Sequence, residues 1–248
     1  MLLALPCRGE PVTEPFTFAN GTISCEVHTP GFPLPDSIRK GLPLAMNTAL
    51  DQVGPPPKPA RLAIHLQPPP SLLQRSKAWL LNEAFSSQRG DEIQIPSEGD
   101  DLKVVFRLAH ELSHWLVYKQ YPARPPPSLD RGLAPRTGAL AADTCARTQT
   151  QKLERPPPGQ LSRNLFTLDE LLRLQAYPKG EARSAAFYWQ AEALVNALHS
   201  RLGPAEFKVY LGLLSSTNAP DWQTPLRERW YFSDWDFNWI AQQIRTTP

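Results

Sequence analysis

At 248 residues the chain is long enough for one large domain or two small ones, and a hydrophobic content of 41% is enough for a real core. A formal net charge of +2, with no basic run interleaved with aromatics, gives nucleic-acid binding little support. No apolar stretch approaches the length of a membrane span, and Gly9, Gly21 and Gly31 are scattered without the spacing of a phosphate loop.

Met1 to Leu5 is apolar but too short for the core of an export signal, and no Lys or Arg precedes it. It reads either as the remnant of a longer signal, which would place the protein outside the cytoplasm, or as a segment that packs on the domain. Three cysteines, Cys7, Cys25 and Cys145, allow at most one internal pair. Cys7 with Cys25 is one option in an oxidising compartment, and free buried thiols are the other. The 28 prolines include the triplets at 55–57, 68–70, 125–127 and 156–158, which fall between periodic segments and read as stiff connectors.

The first element is a β-hairpin over residues 17–28, with Asn20-Gly21 suited to a tight type I′ turn. Residues 36–53 form an amphipathic helix through Ile38, Leu42, Ala45, Ala49 and Val53, with Pro43 expected to break it or shift its start. Residues 61–66 alternate as a strand, residues 72–85 read as helix or irregular chain, and residues 91–95 alternate again.

Asp100 and Asp101 then cap a helix in which Val104, Val105, Leu108, Leu112, Trp115 and Leu116 recur at helical spacing. It stops at Tyr121, ahead of Pro122. Within it lies His110-Glu111-Leu112-Ser113-His114. Two histidines four apart share one helix face, so one divalent metal can accept both imidazoles. The glutamate between them can take a proton from a metal-bound water. The alternative is two surface histidines beside a solvated glutamate.

Helices follow at residues 137–152, 167–175, 185–202 and 205–214, the last two separated by Gly203-Pro204. Residues 222–244 carry Trp230, Trp235 and Trp239 with Phe232 and Phe237, an aromatic set read as core. His28, His65 and His199 have no partner spacing and read as structural or exposed.

This order of elements resembles the gluzincin metallopeptidases, in particular the peptidase-MA-like proteins. The likeness rests on His110 to His114, on Leu129-Asp130-Arg131-Gly132-Leu133-Ala134, and on the stretch from Tyr188 to Leu198. The resemblance implies one zinc ion held by His110, His114 and a third carboxylate, with Glu111 as general base and Tyr188 donating to the developing oxyanion. It also implies a sheet edge, read as residues 92–95, on which an extended peptide lies. The family's third ligand is a glutamate in Glu-Gly-Leu-Ala, and here Arg131 stands in that place. An arginine cannot ligate zinc, and its fixed charge opposes the metal. Three outcomes stay open: Asp130 stands in as ligand, Asp143 reaches the site, or the site holds no metal. Apart from metal binding, Asp130 suits a helix N-cap, Asp143 a solvated helix face and Tyr188 an ordinary core position.

The expectation is therefore an α+β protein: a small mixed sheet with helices over residues 1–100, then a mostly helical part over 101–248 that begins with the motif helix. The leading function is a zinc metallopeptidase acting on a peptide or protein substrate. The alternative is a degenerate relative that binds a peptide or protein partner in the old cleft, and a weaker one is a metal-dependent hydrolase of non-peptide bonds. Oligomeric state is not legible.

Overall fold

The structure, a computed structural model, describes residues 11–67, 87–97, 100–149 and 165–246. The expected helix at 72–85, Cys7, the segment from Met1 to Leu5 and the proline triplets at 68–70 and 156–158 lie outside them.

The fold is α+β. Strands β1 (Val12–Phe18), β2 (Ile23–Thr29), β3 (Ala60–Gln67), β4 (Ser87–Arg89) and β5 (Glu92–Pro96) form one mixed sheet in the order β1-β2-β3-β5-β4. β1 and β4 are the edges and pair antiparallel, while β2, β3 and β5 run parallel. The hairpin turn is longer than a two-residue turn. Phe18 pairs with Ile23, and Ala19, Asn20 and Gly21 all take positive φ, so four residues span the strands. The strand expected at the sheet edge, β5, is internal; the edge beside it is β4, three polar residues without an apolar pattern of their own.

Helix α1 (Asp36–Val53) crosses from β2 to β3 and runs through Pro43 without a break. Its buried face, Ile38, Leu42, Ala45, Met46 and Ala49, shares a core with Ile23, Cys25, Val27, Leu62, Ile64, Ile93 and Ile95 of the sheet. Buried alternate residues on β2, β3 and β5 and exposed ones between them leave the sheet with one wet face. Cys25 and Cys145 are both buried.

Helix α2 (Asp101–Gln120) is the motif helix. Asp100 caps it, its side chain accepting from the Lys103 backbone N–H at 2.9 Å, and Tyr121 leaves the helix at extended angles ahead of Pro122. Helix α3 (Pro127–Gln149) starts ten residues earlier than the sequence pattern suggests. Pro127 sits at the first helical position, where a missing N–H costs nothing, and the helix passes through Pro135. Asp130 is therefore inside the first turn and is not the N-cap.

Helix α4 (Leu168–Arg173) opens with a capping box between Thr167 and Glu170. Helix α5 (Glu181–Leu214) is two helices joined at a kink, where Gly203 takes φ 75° ahead of Pro204. The C-terminal segment divides into α6 (Gln223–Trp230) and α7 (Asp234–Thr246), with Tyr231 in the left-handed region between them. Phe232 and Phe237 are buried as expected of core aromatics, but Trp235 is 64% exposed. Among the described residues no helix is long and apolar enough to cross a membrane.

Small residues bring the central helices together. A Cβ on Gly41 of α1 would lie 2.8 Å from Val105 of α2, and one on Gly138 of α3 would lie 2.8 Å from the Phe106 carbonyl oxygen of α2. Gly132 of α3 meets the α5 backbone at Ala191 more tightly still.

Candidate functional site

The motif lies on the face of α2 that α3 covers. His110, Glu111 and His114 are all buried. The two imidazoles stand one turn apart, with ring centroids 5.1 Å apart and planes at 76°. Trp115 fixes the neighbouring face: its indole N–H donates to Asp91 Oδ1 at 3.1 Å, tying α2 to the turn between β4 and β5.

The first turn of α3 supplies Asp130 and Arg131, held there by the close approach of Gly132 to α5 and by Arg136, whose Nη1 donates to Asn196 Oδ1 at 2.6 Å. Asp130 Oδ1 lies 2.8 Å from His114 Nδ1. Arg131 Nη1 lies 3.4 Å from Nε2 of the same ring. A guanidinium only donates, so these partners assign the neutral His114 tautomer: Nδ1–H donates to Asp130, and Nε2 faces the arginine. Arg131 Nε donates to the Tyr177 hydroxyl at 3.1 Å, and its guanidinium carbon lies 4.8 Å from the Tyr177 ring centroid and 5.8 Å from that of Tyr188. Tyr188 thus reaches the site as a wall against Arg131.

Charge follows this arrangement. Burial drives the His110 pKa well below its ordinary value, and the charges of His114 and Arg131 push the same way. At His114 burial also lowers the pKa, but the charge and hydrogen bond of Asp130 outweigh it and the net direction is up, with Arg131 opposing. Burial raises the Asp130 pKa, yet the His114 partnership and the charges of Arg131 and Arg124 leave it below the ordinary carboxylate range.

As they stand in this structure, the described residues do not supply the three protein ligands that a catalytic zinc needs. The two ring nitrogens of an imidazole diverge, so a carboxylate on Nδ1 of His114 lies across the ring from any ion on Nε2. The Nε2 side faces the Arg131 guanidinium. Asp143 is exposed on α3, thirteen residues beyond Asp130 and so about 20 Å further along the helix. Among the described residues no group of three or more His, Cys, Asp or Glu side chains is placed to hold a metal ion.

A cavity of about 390 Å³ opens beside Glu111 and His114. Arg89 and Gly90 from β4 and its turn, Tyr118 from α2, Arg124 from the loop after α2, and Tyr177 complete most of its wall. Sequence reasoning did not single out these residues. Tyr177 and Arg124 sit in connecting segments, where no periodicity marks them.

No protein-family model matches the sequence, and no curated protein matches it either. Solved structures do resemble the fold. An M1 zinc metallopeptidase from Deinococcus radiodurans matches with a TM-score of 0.50 at 16% identity, over 96% of this chain and 52% of that one. A mutant of the M1 enzyme from that organism matches with a TM-score of 0.52 at 15% identity, over 96% and 53%. A mutant bound to a tyrosine-serine-alanine substrate matches with a TM-score of 0.50 at 17% identity, over 96% and 52%. The fold is therefore like that of these M1 zinc metallopeptidases, and this chain spans about half the length of the structures it matches.

Proposed function

We propose that this chain is a peptide-binding protein on a metallopeptidase fold, in which the Arg131 guanidinium takes the place of the metal ion. The observation that carries this reading is the approach of Arg131 Nη1 to 3.4 Å from His114 Nε2, the nitrogen a metal would otherwise claim. A cation carried by the chain stands where a divalent ion would, and it is held on its other side by Tyr177. An arginine has no exchangeable coordination position, so it cannot activate a water for attack on a peptide bond. It can hold a carbonyl or carboxylate oxygen by charge-assisted hydrogen bonds. The likeness to zinc peptidases, one of them bound to a tyrosine-serine-alanine substrate, supports a peptide as the occupant of the cleft.

A second reading has its own observation. His110, Glu111 and His114 share one buried face, and Glu111 and His114 line the cavity, the arrangement a zinc peptidase needs. That reading requires Arg131 to swing away and Asp130 to leave His114 Nδ1.

Zinc content separates the two. The purified parent protein, dialysed against zinc and washed, is expected to hold no stoichiometric zinc by elemental analysis. The Arg131→Glu variant restores a third carboxylate and is expected to hold one zinc per chain. One zinc per chain in the parent, lost in His110→Ala, would sink the metal-free reading and establish the peptidase one.

A further inference from the structure

We infer that the cleft is a receptor for the C-terminal carboxylate of a peptide, with Arg89 and Arg124 as its anion-binding arms. This inference rests on the metal-free reading of the site. It goes beyond it by naming the chemical end of the peptide that is recognised and the residues that recognise it.

Three guanidiniums from three separate parts of the fold meet at one cavity: Arg89 from the edge strand β4, Arg124 from the α2–α3 loop and Arg131 from α3. Two carboxylates also line it, Glu111 and Asp130. Asp130 is bound to His114, so its charge is partly answered within the protein. The wall thus carries three positive and two negative charges: Arg89 and Arg124 are exposed, whereas Glu111 is buried. A planar carboxylate with two oxygens matches a guanidinium fork, and each oxygen can accept from more than one donor. The Arg124 guanidinium carbon lies 5.7 Å from the Tyr118 ring centroid, which keeps it against the wall of the cavity.

The neighbouring cavity has room for what precedes the carboxylate. A second hollow of about 500 Å³ shares Arg124, Asp130 and Tyr177 with the first, so the two adjoin. Its walls mix the apolar Pro126, Leu172, Leu214 and Trp222 with the polar Arg173, Gln175 and Asp221. A peptide whose free carboxylate meets the guanidiniums of the first hollow has the second beside it for the residues that precede the carboxylate.

The test compares two labelled tetrapeptides, alanine-alanine-phenylalanine-leucine with a fluorescein at the amino end, one ending in a free acid and one in an amide. Binding is followed by fluorescence anisotropy on the full chain, with zinc content measured on the same sample. The free acid is expected to bind roughly tenfold or more tighter than the amide, since the amide leaves the guanidiniums without their charged partner. Arg89→Ala and Arg124→Ala, both at exposed positions, are expected to keep the melting temperature, to weaken the acid several-fold and to leave the amide unchanged. Acid and amide binding alike, absence of acid binding, or an unchanged acid affinity in both variants would each overturn the inference. Inorganic phosphate that displaces the acid at equal concentration would also overturn it, because the site would then be one for small anions. A parent that holds zinc and cleaves the peptide would instead fail the metal-free reading, a result distinct from any of these.

Discussion

Gly132 of α3 presses directly on the Ala191 carbonyl of α5: a Cβ at that glycine would lie 2.0 Å from the oxygen and 2.6 Å from the carbon. No side chain fits there without moving one helix. Because Arg131 and Asp130 are the residues just before it, the depth at which α3 sits sets where both meet His114. Gly132→Ala is expected to destabilise the fold by about 1–3 kcal/mol through overpacking against backbone, a drop in melting temperature of several degrees for a chain of this length. Calorimetry checks this, and an unchanged melting temperature would show that the α3–α5 contact has slack.

Asp130 and His114 make a second prediction. Asp130→Ala leaves a buried imidazole N–H without its acceptor, which costs about 1–3 kcal/mol. Asp130→Asn keeps an acceptor oxygen and is expected to recover most of that loss. Chemical denaturation of the three proteins measures it, and equal losses in both variants would mean that the charge, and not the hydrogen bond, is what His114 requires.

Trp115 anchors the motif helix to the edge of the sheet. It is fully buried and donates to Asp91 in the turn that leads from β4 into β5. Trp115→Phe removes the donor and leaves space behind it, with an expected loss of about 1–3 kcal/mol. Amide hydrogen exchange is expected to rise around residues 89–92 as well as in α2. Exchange confined to α2 would show that the turn is held by other contacts.

His199 predicts an acid limit. Burial pushes its pKa down to about 4, helped by the charges of Arg136 and Lys208, and its ring packs 4.3 Å from that of Phe207. The folded value lies below the unfolded one of about 6.5. Above that unfolded value the ring is neutral in both states and stability is full. As pH falls from about 6.5 toward 4, the unfolded chain takes up a proton that the fold refuses, and stability drops by at most about 3 kcal/mol. Denaturation midpoints from pH 7 to pH 4 would show the slope, and His199→Phe is expected to flatten it. A slope that persists in that variant assigns the acid sensitivity elsewhere.

The motif helix was legible because several local signals agreed: a capping Asp100, apolar residues at helical spacing, and Pro122 as a stop. The start of α3 was not. Pro125, Pro126 and Pro127 read as a connector, and only the third of them begins a helix, a distinction that depends on packing against α5 and leaves no mark in the pattern. That hid the placement of Asp130 within a helical turn. β4 was unreadable for a related reason: three polar residues become a strand because β5 offers them an edge. Arg131 could be flagged from the sequence only through the family frame, which made a charge stand out at a ligand position. Its contacts with Tyr177 and His114 come from long-range packing. The C-terminal aromatics split between core and surface, Phe237 inward and Trp235 outward on one helix, because α7 packs along a single stripe.

Under the proposed reading, in which Arg131 takes the place of the metal, a positive charge built into α3 has a supply advantage over a bound ion. It is made with the chain, so the cleft needs no loading step, does not compete with other proteins for a scarce element and cannot be emptied by a chelator. It cannot be exchanged for copper or iron either. Such a cleft keeps the same occupancy in metal-starved and metal-rich surroundings.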